Sequence, residues 1–81
     1  MPYFVYIVQG SDKSYYTGYT NNLVSRVNIH NKKNGAKALK GKLPVHLVYS
    51  ETFETKSEAL KREAGIKSLT REKKIQLIMR G

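Results

Sequence analysis

Eighty-one residues without a cysteine, carrying fifteen Lys+Arg against six Asp+Glu for a formal charge of +9, describe one small domain (1–81) that must hold together by packing alone. This composition excludes a disulfide scaffold and a cysteine-ligated zinc site, and the longest apolar run, Tyr3 to Val8, is far short of the ~20 residues that span a bilayer. A charge this one-sided calls for a polyanionic partner, nucleic acid first, with a membrane surface and ribosomal RNA behind it. The lack of cysteine suits a reducing cytoplasm.

Tyr3-Phe4-Val5-Tyr6-Ile7-Val8 is β-branched and aromatic without polar alternation, the pattern of a strand covered on both faces, and it belongs at the centre of a sheet. Gly10-Ser11-Asp12-Lys13 is a turn cluster, so Ser14 to Tyr19 is expected to return as an antiparallel partner. For Tyr6 and Tyr16 to share a face the connecting loop needs an odd count, for example Gln9 to Lys13, which would set Tyr6 opposite Tyr16. Asn21 or Asn22 then caps a helix from Leu23 to Asn31.

Residues 32 to 43 hold five lysines and two glycines and no acid, which reads as a surface loop: either a solvated linker or an arm in which Lys32, Lys33, Lys37, Lys40 and Lys42 track phosphates. Val45 to Phe53 begins apolar and ends alternating, as a third strand does. Thr55-Lys56-Ser57-Glu58 has the spacing of a capping box and opens a helix to about Ser68. Leu69 or Thr70 interrupts it, and a last helix to Met79 places Ile75, Ile78 and Met79 inward. The element order is β-β-α-β-α-α, an α+β chain with no internal repeat.

Three polar features sit where a plain core would not put them. On the first helix Leu23, Val24 and Val27 line one side, and Arg26 and His30 fall on or beside it, which makes them either core-rim residues or members of a site. On the second, Glu63 projects between Ala59 and Leu60, while Glu58, Lys61 and Arg62 turn outward. A carboxylate turned inward needs a cation, and Lys67 one turn on, or Arg26 together with a metal ion, would serve. Six tyrosines stand against two phenylalanines and no tryptophan. Their hydroxyls beside Arg, His and Glu suit proton transfer or phosphate positioning, and equally base stacking or interface contacts.

These residues resemble the GIY-YIG nuclease domain, and the resemblance runs over essentially the whole chain. Phe4-Val5-Tyr6 stands at the first signature and Tyr16-Thr17-Gly18 at the second. Arg26 stands in the Leu-x-x-Arg segment of the family helix with His30 four residues on, and Glu63 matches the family's metal-binding glutamate. The chain is most similar to small stand-alone bacterial members. It departs from the pattern at Phe4, where the family has glycine, and at Thr17, where it has isoleucine; both tyrosines are kept, and the late asparagine of some members has no clear counterpart.

The resemblance implies a three-stranded antiparallel sheet flanked by helices and hydrolysis of DNA phosphodiester bonds with one Mg²⁺ or Mn²⁺, leaving 5′-phosphate and 3′-hydroxyl ends. Tyr6 would act as general base or water-positioning group, with Tyr16 in support. Arg26 would hold the scissile phosphate, Glu63 the metal, and His30 would orient or deprotonate a tyrosine. The expected role is a structure-specific endonuclease of DNA repair or recombination. Its competitors are a non-catalytic nucleic-acid-binding or partner-docking module of the same fold and a basic structural protein of the ribosome or nucleoid. Nothing in the sequence sets the oligomeric state, and a monomer fits.

Overall fold

The computed structural model describes residues 2–31 and 43–80; the lysine-rich arm, with Lys32, Lys33, Lys37, Lys40 and Lys42, lies outside the described residues. The elements are β1 (Tyr3–Gln9), β2 (Tyr15–Thr20), α1 (Leu23–Asn31), β3 (His46–Phe53), α2 (Lys56–Lys67) and α3 (Arg71–Arg80). The sheet has the order β2-β1-β3 with both pairings antiparallel, so the all-apolar first strand is indeed central.

The hairpin turn explains where β2 begins. Lys13 N–H donates to the Gly10 carbonyl at 3.0 Å, and Gly10 N–H donates to the Ser14 carbonyl at 2.9 Å. Lys13 takes the left-handed region at φ 71°, which a non-glycine residue enters only where its surroundings hold it. Those surroundings are visible. The Asp12 carboxylate accepts from the Ser14 N–H and hydroxyl at 3.0 and 2.6 Å, and Arg71 donates to the Lys13 carbonyl at 2.9 Å while its guanidinium lies 4.9 Å from the Tyr15 ring centroid. Ser14 is thereby committed to the turn, and the ladder starts one residue later than the sequence suggests, with Gln9 opposite Tyr15.

Alternation along β1 sorts the core into two layers. Val5 and Ile7 point to one face, where Ala59 and Ile66 of α2 and Leu77 and Ile78 of α3 meet them. Tyr6 and Val8 point to the other, under Leu43, Val45, and Leu23 and Val27 of α1. Fully burying a side chain of Val, Ile or Leu size is worth about 1.5–3 kcal/mol, so this small set carries much of the fold.

Three apolar residues expected to face inward, Val24, Leu60 and Met79, are exposed, and Arg62, expected to face outward, is engaged. Leu23 and Val27 dock α1, and at about 100° per residue Val24 and Arg26 fall to either side of that line; both are exposed, Val24 at 73%. Leu60 is exposed because α2 buries the Ala59 and Ile66 row. Met79 is 81% exposed because α3 packs through Leu77 and Ile78. Arg62, expected on the outer side of α2, forks onto Glu51 of β3 through Nε and Nη2, each at 2.9 Å, and Tyr49 donates its hydroxyl to the same carboxylate. The Arg62 hydrogen bonds hold the Glu51 carboxyl below its ordinary pKa against the opposing effect of burial. This clamp ties α2 to the edge strand β3.

Side chains finish the helix ends. Asn22 caps α1, its Oδ1 accepting from Ser25 N–H at 3.1 Å. Thr55 caps α2, accepting from Glu58 N–H at 3.2 Å while its hydroxyl donates to the Glu58 carboxylate at 2.9 Å, a variant of the expected capping box. At the far end of α1 the Asn31 amide accepts from Val45 N–H at 2.7 Å and donates to the Val45 carbonyl at 3.2 Å. Val45 is thus held as if by a neighbouring strand, and β3 starts at His46 rather than at Val45.

Candidate active site

The site is built around one buried tyrosine. Tyr6, 2% exposed, lies in the central strand with Gly18 of β2 as its partner. A Cβ on Gly18 would stand 2.5 Å from the Tyr6 hydroxyl oxygen and 2.8 Å from Cζ, so the phenol lies directly over the glycine. The absence of a side chain at Gly18 is what lets the Tyr6 hydroxyl reach across the edge strand.

Tyr16 is the partner of Val8, so it shares the face of Tyr6 but sits two pairs along the ladder rather than opposite it. Five residues separate the paired Gln9 and Tyr15, the odd count that a shared face requires. The structure therefore keeps the two phenols together while shifting the pairing that was expected.

Three groups act on the Tyr6 phenol. Its pKa is pushed up from 10.0 to about 12, chiefly by burial, then by the negative charge of an ionised Tyr16, with the Arg26 guanidinium opposing and the Glu63 carboxylate adding to the rise. Arg26 comes from α1, exposed at the rim beside the docked Leu23 and Val27. Glu63 comes from α2, on the same row as the buried Ala59 and Ile66, one turn from each, and its side chain is only 17% exposed. The strands and both helices thus bring Tyr16, Arg26 and Glu63 within electrostatic reach of the Tyr6 phenol. The His30 backbone lies in α1, and its side chain is outside the described residues.

Glu63 also meets the partner that a purely structural role would give it. Lys67 Nζ stands 3.7 Å from Oε2, an ion pair longer than a hydrogen bond, with the lysine more than half exposed. So loose a contact leaves the carboxylate able to take a second cation. Among the described residues no cluster of three His, Cys, Asp or Glu side chains gathers. A single carboxylate fits a hard dication that keeps most of its water shell, and does not fit zinc.

Sequence reasoning took Gly18 only as part of a motif and did not see its role as the floor under Tyr6; an isolated glycine inside a strand is the available signal. Periodicity on α2 turns Arg62 outward and gives no sign of its partner Glu51 on β3.

A family model described as the GIY-YIG catalytic domain matches residues 2–76. A UPF0213 protein of Staphylococcus aureus is 59% identical over 76 residues, covering 94% of this chain and 93% of that protein. The solution structure of a UPF0213 protein from Bacillus halodurans superposes with a TM-score of 0.63 at 40% identity, covering 98% of this chain and 84% of that one. A solution structure from Enterococcus faecalis gives 0.64 at 40% identity, covering 94% and 81%. Among the described residues no helix is long and apolar enough to cross a membrane.

Proposed function

Since the chain belongs to the GIY-YIG catalytic domain family, whose fold implies a nuclease, we propose that it is a divalent-metal-dependent endonuclease that hydrolyses DNA phosphodiester bonds at branched or damaged structures. The observation that carries this reading is the grouping of Tyr16, Arg26 and Glu63 around the buried Tyr6 phenol.

Hydrolysis joins a water oxygen to phosphorus and breaks the bond from phosphorus to the 3′ oxygen, which departs as a hydroxyl. Arg26, exposed at the rim, is placed to hold the non-bridging oxygens and the charge that builds on them. A phenol with a pKa of about 12 is neutral at physiological pH, so Tyr6 supports the water-orienting role rather than that of a phenolate base. Its hydroxyl, with that of Tyr16, fixes the direction from which water approaches. Glu63 would hold a Mg²⁺ or Mn²⁺ ion, which when bound supplies positive charge to the departing oxygen. His30, one turn beyond Arg26, would serve as proton carrier, and Lys32, Lys33, Lys37, Lys40 and Lys42 would hold backbone phosphates through charge alone.

Pure protein incubated with branched and linear DNA in Mg²⁺ or Mn²⁺ tests the reading, beside Glu63→Ala. Cleavage by the parent and at least 100-fold less by the variant, about the loss expected when one transition-state contact goes, is the expected result. Equal cleavage by the two, or none by either, refutes it; salt-sensitive binding indifferent to Glu63 and metal would then mark a non-catalytic binding module.

A further inference from the structure

The sheet face that carries Tyr6 does not end under α1. Leu23 and Val27 cover it at Tyr6 and Val8, whereas on the β3 side it presents Ser50, the partner of Tyr6, and Thr52, the partner of Phe4. Partners in register project to the same face, so both hydroxyls stand on the face of the candidate site, and both residues are exposed. Phe4, half-buried between Thr20 and Thr52, forms the apolar floor beside them. The residues that alternate with them on β3, Tyr49, Glu51 and Phe53, turn the other way into the second core layer and the Arg62 clamp.

We infer that Ser50 and Thr52 form a binding strip for the sugar-phosphate backbone of DNA, so that the strand to be cut enters across the β3 edge and runs over Ser50 towards the candidate site. The inference rests on the nuclease reading above, which it deepens by assigning substrate contacts. Four observations support it. The hydroxyls are neutral donors, the type that positions phosphates without selecting a sequence. They stand on the face of the candidate site one strand beyond Tyr6, since Ser50 is cross-strand from Tyr6 on the side away from Gly18. The chain carries +9 overall, complementary to a polyanion. Beyond Thr52 the surface opens into a recess of about 580 Å³ lined by Pro2, Thr52, Phe53 and Glu54, where the Glu54 carboxylate repels phosphate and confines the backbone to the strip.

The test measures binding of a fluorescein-labelled branched DNA by anisotropy, and cleavage of the same DNA in Mg²⁺ and Mn²⁺. It compares the parent with Ser50→Ala, Thr52→Val, the double variant, the hydroxyl-keeping Ser50→Thr, and Ser57→Ala as an exposed hydroxyl on α2. Each lost hydroxyl is expected to weaken binding about 2- to 10-fold, with an unchanged melting temperature, near-parent binding in Ser50→Thr, and no effect at Ser57. Unchanged binding and KM in the double variant, or losses that follow melting temperature rather than the hydroxyl, overturn the strip. The two readings fail separately. Glu63-dependent cleavage with an indifferent double variant keeps the nuclease and removes the strip; weakened binding without cleavage by the parent keeps the strip and removes the nuclease. A parent that does not bind DNA overturns both.

Discussion

Gly18→Ala offers the sharpest trial of the site's geometry. The new methyl would meet Tyr6 at 2.5 Å from the hydroxyl oxygen, 2.8 Å from Cζ and 3.2 Å from Cε2, where carbon atoms settle at about 3.5–4.0 Å. An exposed tyrosine would swing aside at little cost. Tyr6 is 2% exposed and packed with Val8 and Val45, so the phenol or the edge strand must shift instead. Overpacking of this kind costs about 1–3 kcal/mol, and the entropic gain of Ala over Gly returns about 0.5–1 kcal/mol. The difference, about 0–2.5 kcal/mol and centred near 1, lowers the melting temperature of a domain this size by roughly 4–8 °C at its centre and up to about 20 °C. Thermal unfolding followed by circular dichroism measures it. Tyr6→Phe removes the closest atom but leaves Cζ, so the double variant should lose less than the sum of the single variants. Strict additivity in the cycle would refute the close approach.

Other perturbations probe the remaining contacts. Phenolate absorbance should show one tyrosine ionising near pH 12 that is missing in Tyr6→Phe. Because this group is an acid whose folded pKa lies above its unfolded 10.0, the stability it contributes is whole below pH 10 and lost as pH rises from 10 to about 12. A titration lacking that difference contradicts the buried setting of the phenol. Glu51 has the opposite sign: its carboxyl is held below its reference value of 4.5, so its contribution is present above pH 4.5 and disappears as pH falls below that. Glu51→Gln should flatten this acid limb and cost about 1 kcal/mol at neutral pH, discounted for screening because Arg62 is 40% exposed; an identical acid limb in urea melts would argue against the clamp. Asn31→Ala should leave the Val45 N–H and carbonyl unpaired in a buried position, at about 1–3 kcal/mol. Hydrogen exchange at the Val45 amide should quicken, and unaltered protection would show that the amide is held by something else.

The order of strands and helices was legible because it rests on local chemistry. An unbroken run of β-branched and aromatic residues reads as a central strand, Gly10 to Lys13 as a turn, and Asn22 and Thr55 cap the helices they precede. The candidate site was legible in part for a similar reason: Glu63 stands on a row of α2 whose other members, Ala59 and Ile66, are apolar, and that misfit is visible from spacing alone. Side-chain direction was less legible. Val24, Leu60 and Met79 are as apolar as the residues that do pack, and which turn of each short helix touches the sheet is settled by the partner surface.

The sequence by itself determined the elements, the condition of loop parity under which Tyr6 and Tyr16 share a face, and the out-of-place charge at Glu63, since each depends on residues near one another in the chain. Only the tertiary structure decided the pairing of Tyr6 with Gly18, the reach of Arg26 and Glu63 to that phenol, and the Glu51–Arg62 clamp. Those depend on register and on the docking of helices against a sheet. A shift of two residues keeps every side chain on its face and still moves every contact across the strands.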